Sequence, residues 1–412
     1  MQESGGDQPE QVMAKVGVVI VGVGGAVAST VIAGVALMLR GLVPRVGMIT
    51  EEGSDVPSSP IAGLLDLARL EDLVFAGWDI TTKNVYEAAL QHKVLPPDQL
   101  LAVRAELEAI VPWPAIFKKD YAANLRGENI VRSNDFREQI EAITADVAAF
   151  KAKHGLERVV MVNLASTESF IETNGVHANL AAFEAGLAAN HPAISPSMRY
   201  FYAANKMRVP FCNFTPGPTS AGLSEHATEV GNPYCGCDGK TGQTLVKTAL
   251  AAMFRVRGLK IAGWYSVNFL GNNDGLCLDD PSSNKTKVLS KASVLDSIVG
   301  YEVKNHQVHI HYYKPRGDAK EAWDNIDIVG FGGVPMQMKV NFLCQDSILA
   351  APLVLDLIRL LDLAKRRGER GIQRQLSMFF KSPYAAEGET PTHDLFKQEQ
   401  LLLDWAAAHG KP

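Results

Sequence analysis

The sequence predicts an α/β fold in which a parallel, helix-flanked sheet is followed by a second unit built on a mixed sheet. Three observations carry this. The β-branched run Val16–Val21 leads into a glycine turn and then an apolar helical stretch, the order that opens a parallel sheet buried on both faces. Strand-like and helix-like segments then alternate as far as Phe214, as they do in α/β proteins. From Ile261 onward the strands lengthen and their residues alternate, as at His309, His311 and Tyr313, which suits an open mixed or antiparallel sheet. With 412 residues, 47% of them hydrophobic, the chain can fill two cores.

Taken in order, residues 1–14 read as a disordered start. The strand over 16–21 is followed by a helix over 29–40 and a second short strand over 46–50. A strand over 72–78, helices over 84–92, 99–110 and 134–153 and a strand over 159–164 come next. A helix over 179–189, a short strand over 209–214 and a Pro/Gly loop over 215–220 complete the first unit, and a helix over 245–254 opens the second. Strands are expected over 263–268, 307–313 and 337–343. An apolar helix over 348–366 and helical stretches around Gln375 and Leu402 close the chain. The expected divisions are 15–241, 242–349 and 350–412, the last returning to the first.

Composition excludes several roles. A net charge of -5 offers no basic excess to neutralise a nucleic-acid backbone. The five cysteines are odd in number, and their one close pair is Cys235-Gly236-Cys237, not the spacing of a redox or zinc site; reduced thiols of a cytoplasmic protein fit best. Residues 16–39 carry no charge and are long enough to span a bilayer. Gly22, Gly24 and Gly25 interrupt the run where a strand would turn into a helix, so a buried strand-turn-helix is the better reading.

The segment Gly22-Val23-Gly24-Gly25-Ala26-Val27 stands where a Rossmann-like fold binds a dinucleotide pyrophosphate: backbone amides and a helix N-terminus face the phosphates. Its acidic ribose partner is expected at a strand end. Glu51, Glu52 and Asp79 are the candidates, the first two reading better as solvated loop charges. An acid there disfavours a 2'-phosphate, so NAD is expected over NADP. Gly239-Lys240-Thr241-Gly242-Gln243-Thr244 lacks the earlier glycine of a Walker loop, which leaves a one-phosphate cradle or an ordinary helix cap.

Further on, Asn268-Phe269-Leu270-Gly271-Asn272-Asn273-Asp274-Gly275 gathers amides and a carboxylate at a strand end, followed by Lys285, Lys287 and Lys291. Lys287 and Lys291 share a face if helical, where they repel unless an anion lies between them. Asp318, Lys320, Asp346 and Lys381 each follow apolar segments. The histidines contain no metal-binding pair, and no acyl-hydrolase elbow occurs.

These segments together resemble the myo-inositol-phosphate synthase family. The match runs in order through Phe75-Ala76-Gly77-Trp78-Asp79-Ile80, Ala165-Ser166-Thr167-Glu168, residues 238–243, 268–275 and 286–294, Gly317 through Lys320, Gln345-Asp346-Ser347 and Lys381-Ser382-Pro383. The resemblance implies that Gly22, Gly24, Gly25, Ala26, Val27, Asp79, Ala165, Ser166, Thr167, Asp238, Asn272 and Asp346 bind NAD. It implies that Thr241, Gly242, Gln243 and Lys291 hold the substrate phosphate and that Lys287, Lys320 and Lys381 surround the reacting carbons. Asn268, Asp274, Asp318 and Asp346 would orient them. The implied reaction is redox-neutral cyclisation of D-glucose 6-phosphate to 1D-myo-inositol 3-phosphate, in a cytoplasmic homotetramer joined through the second sheet. A divalent metal or a monovalent cation is compatible with it, and the sequence names no ligand set for either.

Four positions depart from the family pattern. Cys237 stands for a polar residue and Gly239 for a bulky one, and Ala26-Val27 replaces the two asparagines of eukaryotic members. The short length of the chain and this loop resemble the bacterial and archaeal branch. Alternatives are a cyclase making another carbocycle from another sugar phosphate, and a non-catalytic NAD-binding regulator.

Overall fold

The computed structural model describes residues 14–51, 60–217, 220–278, 294–386 and 388–410. Among these, the strands are β1 (Val16–Val21), β2 (Leu73–Asp79), β3 (Trp113–Pro114), β4 (Arg158–Asn163), β5 (Phe211–Asn213), β6 (Pro233–Gly236), β7 (Lys260–Leu270), β8 (His306–Tyr312), β9 (Ala319–Val329), β10 (Pro335–Gln345) and β11 (Gly371–Ile372).

Seven strands form one parallel sheet in the order β11-β6-β5-β4-β1-β2-β3. Read from β3, this is the 3-2-1-4-5-6 order of a dinucleotide-binding fold with one edge strand added. β1 is apolar throughout because both its faces are covered. Val16, Val18 and Ile20 join the core formed with the Ala26–Leu39 and Asp346–Arg366 helices, while Val19 and Val21 join the opposite core, with the Phe136–His154 and Pro196–Met207 helices. The chain's end therefore closes the first sheet twice, through the buried Asp346–Arg366 helix and through β11.

The second sheet runs β10-β9-β7-β8, with β7 parallel to β8 and antiparallel to β9, and β9 antiparallel to β10. Its inner face packs Trp264, Ile326 and Ile328 against Ala251, Phe254, Leu295 and Ile298 of the Gly242–Val256 and Val294–Val299 helices. Its outer face leaves Tyr265, Trp323 and Leu343 exposed. The two sheets meet where β6 feeds the Gly242–Val256 helix and β10 feeds the Asp346–Arg366 helix.

The structure corrects several expected elements. Residues 46–50 form no strand, because β1 already has β2 and β4 as neighbours. The amides of Ile49 and Thr50 instead donate to the Asp356 carboxylate, at 3.1 Å each. The helix expected over 99–110 breaks at Val103 into Pro97–Ala102 and Arg104–Glu108. β9, the central partner in the second sheet, was not expected. The uncharged stretch over 16–39 is β1, the glycine turn and a buried helix, and no helix among the described residues is long and apolar enough to cross a membrane.

Candidate active site

The glycine loop lies at the carboxyl end of β1, at the point where the strand order reverses. The amides of Gly22 and Val23 donate to the Trp78 carbonyl at 2.8 and 3.1 Å, which ties the loop to the end of β2. The Gly24 amide donates to Asp79 Oδ2 at 2.9 Å. A Cβ at Gly24 would come within 2.8 Å of Thr81 Cγ2, so only glycine lets the loop lie this close to β2. Gly25 precedes the Ala26–Leu39 helix, whose first turn has neither a side-chain cap nor an acidic residue. Its amides are the donor set that a pyrophosphate requires.

Of the three acidic candidates, Asp79 stands at the expected strand end. Burial pushes its carboxyl above the usual range, opposed by hydrogen bonds from Thr81 and Gly24. Glu51 is engaged instead, in ion pairs with Arg359 at 2.7 Å and Arg45 at 3.1 Å. Its charge is structural rather than solvated. Glu52 lies outside the described residues. Across the switch point Asn163 ends β4, and its Oδ1 accepts from the Ala165 amide at 3.2 Å. Thr215 Oγ1 donates to the Ala165 carbonyl at 2.8 Å. This fixes the start of the Ala165-Ser166-Thr167 segment beside the loop.

The second half of the site forms where the two sheets meet. Lys381 Nζ donates to Asp238 Oδ1 at 2.7 Å, with both side chains buried. The Lys381 amide donates to the Asp238 carbonyl at 2.7 Å, so backbone and side chain align together. Thr241 is the N-cap of the Gly242–Val256 helix but does not cap it with its side chain. Its hydroxyl donates to Asp346 Oδ1 at 3.1 Å, and Lys320 Nζ donates to Asp346 Oδ2 at 3.2 Å. Asp318 accepts from Asn272 Nδ2 at 3.2 Å and from the Ser347 hydroxyl and amide at 2.7 and 3.0 Å. Burial raises its pKa against those bonds. Asn268, wholly buried, donates from Nδ2 to Gln243 Oε1.

Two buried ammonium groups are thus held by carboxylates beside an uncapped helix N-terminus, with a dinucleotide cradle at the first sheet. Such an arrangement can bind an anion and stabilise charge that develops on oxygen. Lys287 and Lys291 lie outside the described residues, and Asp274 is placed only as a position in the Asn273–Leu278 helix. Ser347, in a matched block, is the main partner of Asp318, a pairing that no local sequence pattern reports. Lys240, Asp324 and Lys247 gave no sequence signal of their own.

The departures at Gly239 and Cys237 have physical reasons. A Cβ at Gly239 would fall 2.1 Å from the Phe214 ring, which occupies the space a larger residue would need. Cys237 is buried and its thiol is pushed up to about 12, so it serves as a small apolar group rather than a nucleophile.

The model of the myo-inositol-1-phosphate synthase family matches residues 16–406. The chain belongs to this family. It is 45% identical to inositol-3-phosphate synthase 1 of Bacteroides thetaiotaomicron over 94% of each chain. With inositol-3-phosphate synthase 1 of Oryza sativa it shares 31%, over 94% of this chain and 84% of the relative. The crystal structure of inositol-3-phosphate synthase from Caenorhabditis elegans superposes with a TM-score of 0.89 at 28% identity, covering 96% of this chain and 86% of that one. Membership brings the NAD-binding fold with it, and the uncapped helix, the close glycine loop and Asp79 fit that cofactor.

Proposed function

We propose that this chain is an inositol-3-phosphate synthase, which converts D-glucose 6-phosphate to 1D-myo-inositol 3-phosphate with no net oxidation. The observation that carries this reading is 45% identity to a synthase over 94% of both chains. When bound, NAD would supply the removal of a hydride from C5 of the sugar and its later return. Between those events C6 loses a proton and the resulting enolate attacks the C1 aldehyde, so negative charge builds on oxygen.

The chain's own residues would serve as follows. Gly22, Gly24, Gly25, Ala26 and Val27 present backbone to the pyrophosphate, Asp79 takes the adenosine ribose, and Ala165, Ser166, Thr167, Asn272 and Asp238 border the reactive end. Thr241, Gly242, Gln243 and Lys291 bind the substrate phosphate. Lys320 and Lys381, with Lys287, direct ammonium groups at the oxygens where charge develops, each such donor typically being worth about a hundredfold or more in rate. Asp346 and Asp238 fix the first two, and Asp318, with Asp274, orients the reacting groups. We read residues 15–241 as the NAD-binding domain, 242–349 as the catalytic and assembly domain and 350–412 as the returning segment of a cytoplasmic homotetramer. The exposed face of the second sheet supports the assembly role.

The test is NMR of the product formed by purified protein with catalytic NAD and glucose 6-phosphate deuterated at C5. The expected product is inositol 3-phosphate that retains the deuterium, with many turnovers per NAD. A different carbocycle, stoichiometric accumulation of reduced cofactor, or loss of the label to water would overturn the proposal.

A further inference from the structure

Behind the helix that begins at Gly242, a buried relay of polar groups runs from the second sheet toward the candidate site. Asp324 on β9, 4% exposed, accepts from Trp264 Nε1 and Ser266 Oγ at 2.6 Å each through Oδ1, and from Gln243 Nε2 at 3.0 Å through Oδ2. Lys247 Nζ donates to Ser266 Oγ at 3.1 Å and lies 5.3 Å from the centre of the Trp264 ring. Gln243 Oε1 in turn accepts from Asn268 Nδ2. At the end of the relay Asn268 Oδ1 is buried without a hydrogen-bond partner.

The direction of this relay is fixed by chemistry. An ionised carboxylate can only accept, so Gln243 must turn its NH2 toward Asp324 and its carbonyl toward Asn268. Asn268 must then spend its own NH2 on Gln243 and leave its oxygen over. An orphaned buried acceptor is costly unless a ligand completes it.

We infer that Asp324 is a positioning residue that sets the polarity of Gln243 and Asn268, so that Asn268 offers an acceptor to a hydroxyl of the sugar substrate. This rests on the proposed function. An acceptor selects a hydroxyl hydrogen and repels a phosphate oxygen, so Asn268 addresses the carbon skeleton and not the phosphate. With its side chain engaged in the relay, Gln243 has its backbone amide, in the first turn of the helix, to offer an anion.

The test is a kinetic cycle with Asp324→Asn, Asn268→Ala and the double variant, using the NAD-loaded enzyme and glucose 6-phosphate. Asp324→Asn lets Gln243 and Asn268 reverse, and kcat/KM should fall about ten- to a hundredfold, the cost of mispairing a buried polar group. Calorimetric NAD affinity should not change. In the Asn268→Ala background the same substitution should cost less than about threefold, because no acceptor is left to misdirect. Trp264→Phe removes one donor from Asp324 without touching Gln243, and should lower the melting temperature while leaving kcat/KM nearly intact. If Asp324→Asn does not fold, Gln243→Met interrupts the relay one residue later and carries the same expectation. Equal losses with and without Asn268 would reduce Asp324 to a structural residue and overturn the inference. Absence of turnover by the unmodified enzyme would instead refute the functional reading and, with it, the assignment of a sugar hydroxyl to Asn268.

Discussion

Lys381 and Asp238 form a buried ion pair of 2.7 Å between the returning C-terminal segment and the loop that leaves the first sheet. An antiparallel bridge between Gly239 and Phe380 lies beside it, so the pair is positioned by backbone pairing on both sides. Two groups expected to serve different partners, one the cofactor and the other the reacting carbons, are therefore mechanically one unit.

The first prediction concerns that unit. Asp238→Asn and Lys381→Met should each destabilise the protein, while the double variant should be more stable than the sum of the two predicts. A coupling above about 1 kcal/mol is expected for a buried contact of this geometry. Denaturant unfolding of the three variants measures it, and additive effects would show that the pair is not coupled. Lys381→Met should also lose cyclisation while retaining NAD in calorimetry.

A second prediction follows from the glycine loop. Gly24→Val places a branched side chain where Cβ alone would meet Thr81 and Asp79, forcing the loop away from β2. NAD affinity should fall by at least about a hundredfold, as expected when close backbone approach to the pyrophosphate is lost, while circular dichroism stays that of a folded protein. Asp79→Asn should weaken NAD less and relax discrimination against a 2'-phosphate. Unchanged NAD titrations in both variants would remove the loop from the cofactor site.

Third, the outer face of the second sheet carries Tyr265, Phe269 and Trp323 beside His309 and His311, with rings in contact across β7, β8 and β9. An aromatic patch of this kind is buried in assemblies more often than left in water. Trp323→Glu combined with Leu343→Glu should shift the protein from the proposed tetramer to smaller species in light scattering. An unchanged mass would place the assembly surface elsewhere.

How far the sequence could be read depended on whether chemistry or packing set each position. The order of β1, glycine loop, helix and Asp79 was legible because dinucleotide binding requires those residue types at those places. Residues 46–50 look like a strand in composition, yet Asp356, more than 300 positions away, takes their amides, and no local pattern reports that. β9 was missed because Lys320, Asp324 and Asn325 make it too polar for a buried strand; the structure pairs Lys320 with Asp346 and Asp324 with Trp264, Ser266 and Gln243, and leaves Asn325 beside Asp327 on the exposed side. The pairing of Lys381 with Asp238 was not legible in the sequence. That pairing depends on a bridge between distant segments.

The last prediction is a pH dependence of stability. Lys240 is 3% exposed, donates from Nζ to Gln398 Oε1, and burial lowers its pKa from 10.5 to about 7. In the unfolded chain it titrates near 10.5, so between about pH 7 and 10.5 the unfolded state binds the extra proton and stability rises with pH. Well below about pH 7 both states are protonated, and the folded protein carries the full cost of burying the ammonium. Each tenfold change in proton affinity corresponds to about 1.4 kcal/mol, so the effect amounts to a few kcal/mol. Lys247 shifts in the same direction, to about 8, and adds to the rise above that pH. Lys240→Met removes the titration and leaves Gln398 without its donor, which shifts stability by an amount independent of pH. The difference in unfolding free energy between variant and parent should therefore favour the variant most at pH 6 to 7 and decline steadily toward pH 10. Denaturant titrations at four pH values across that range test this. A difference that stays constant, or that grows with pH, would mean that Lys240 does not carry a depressed pKa in the folded protein.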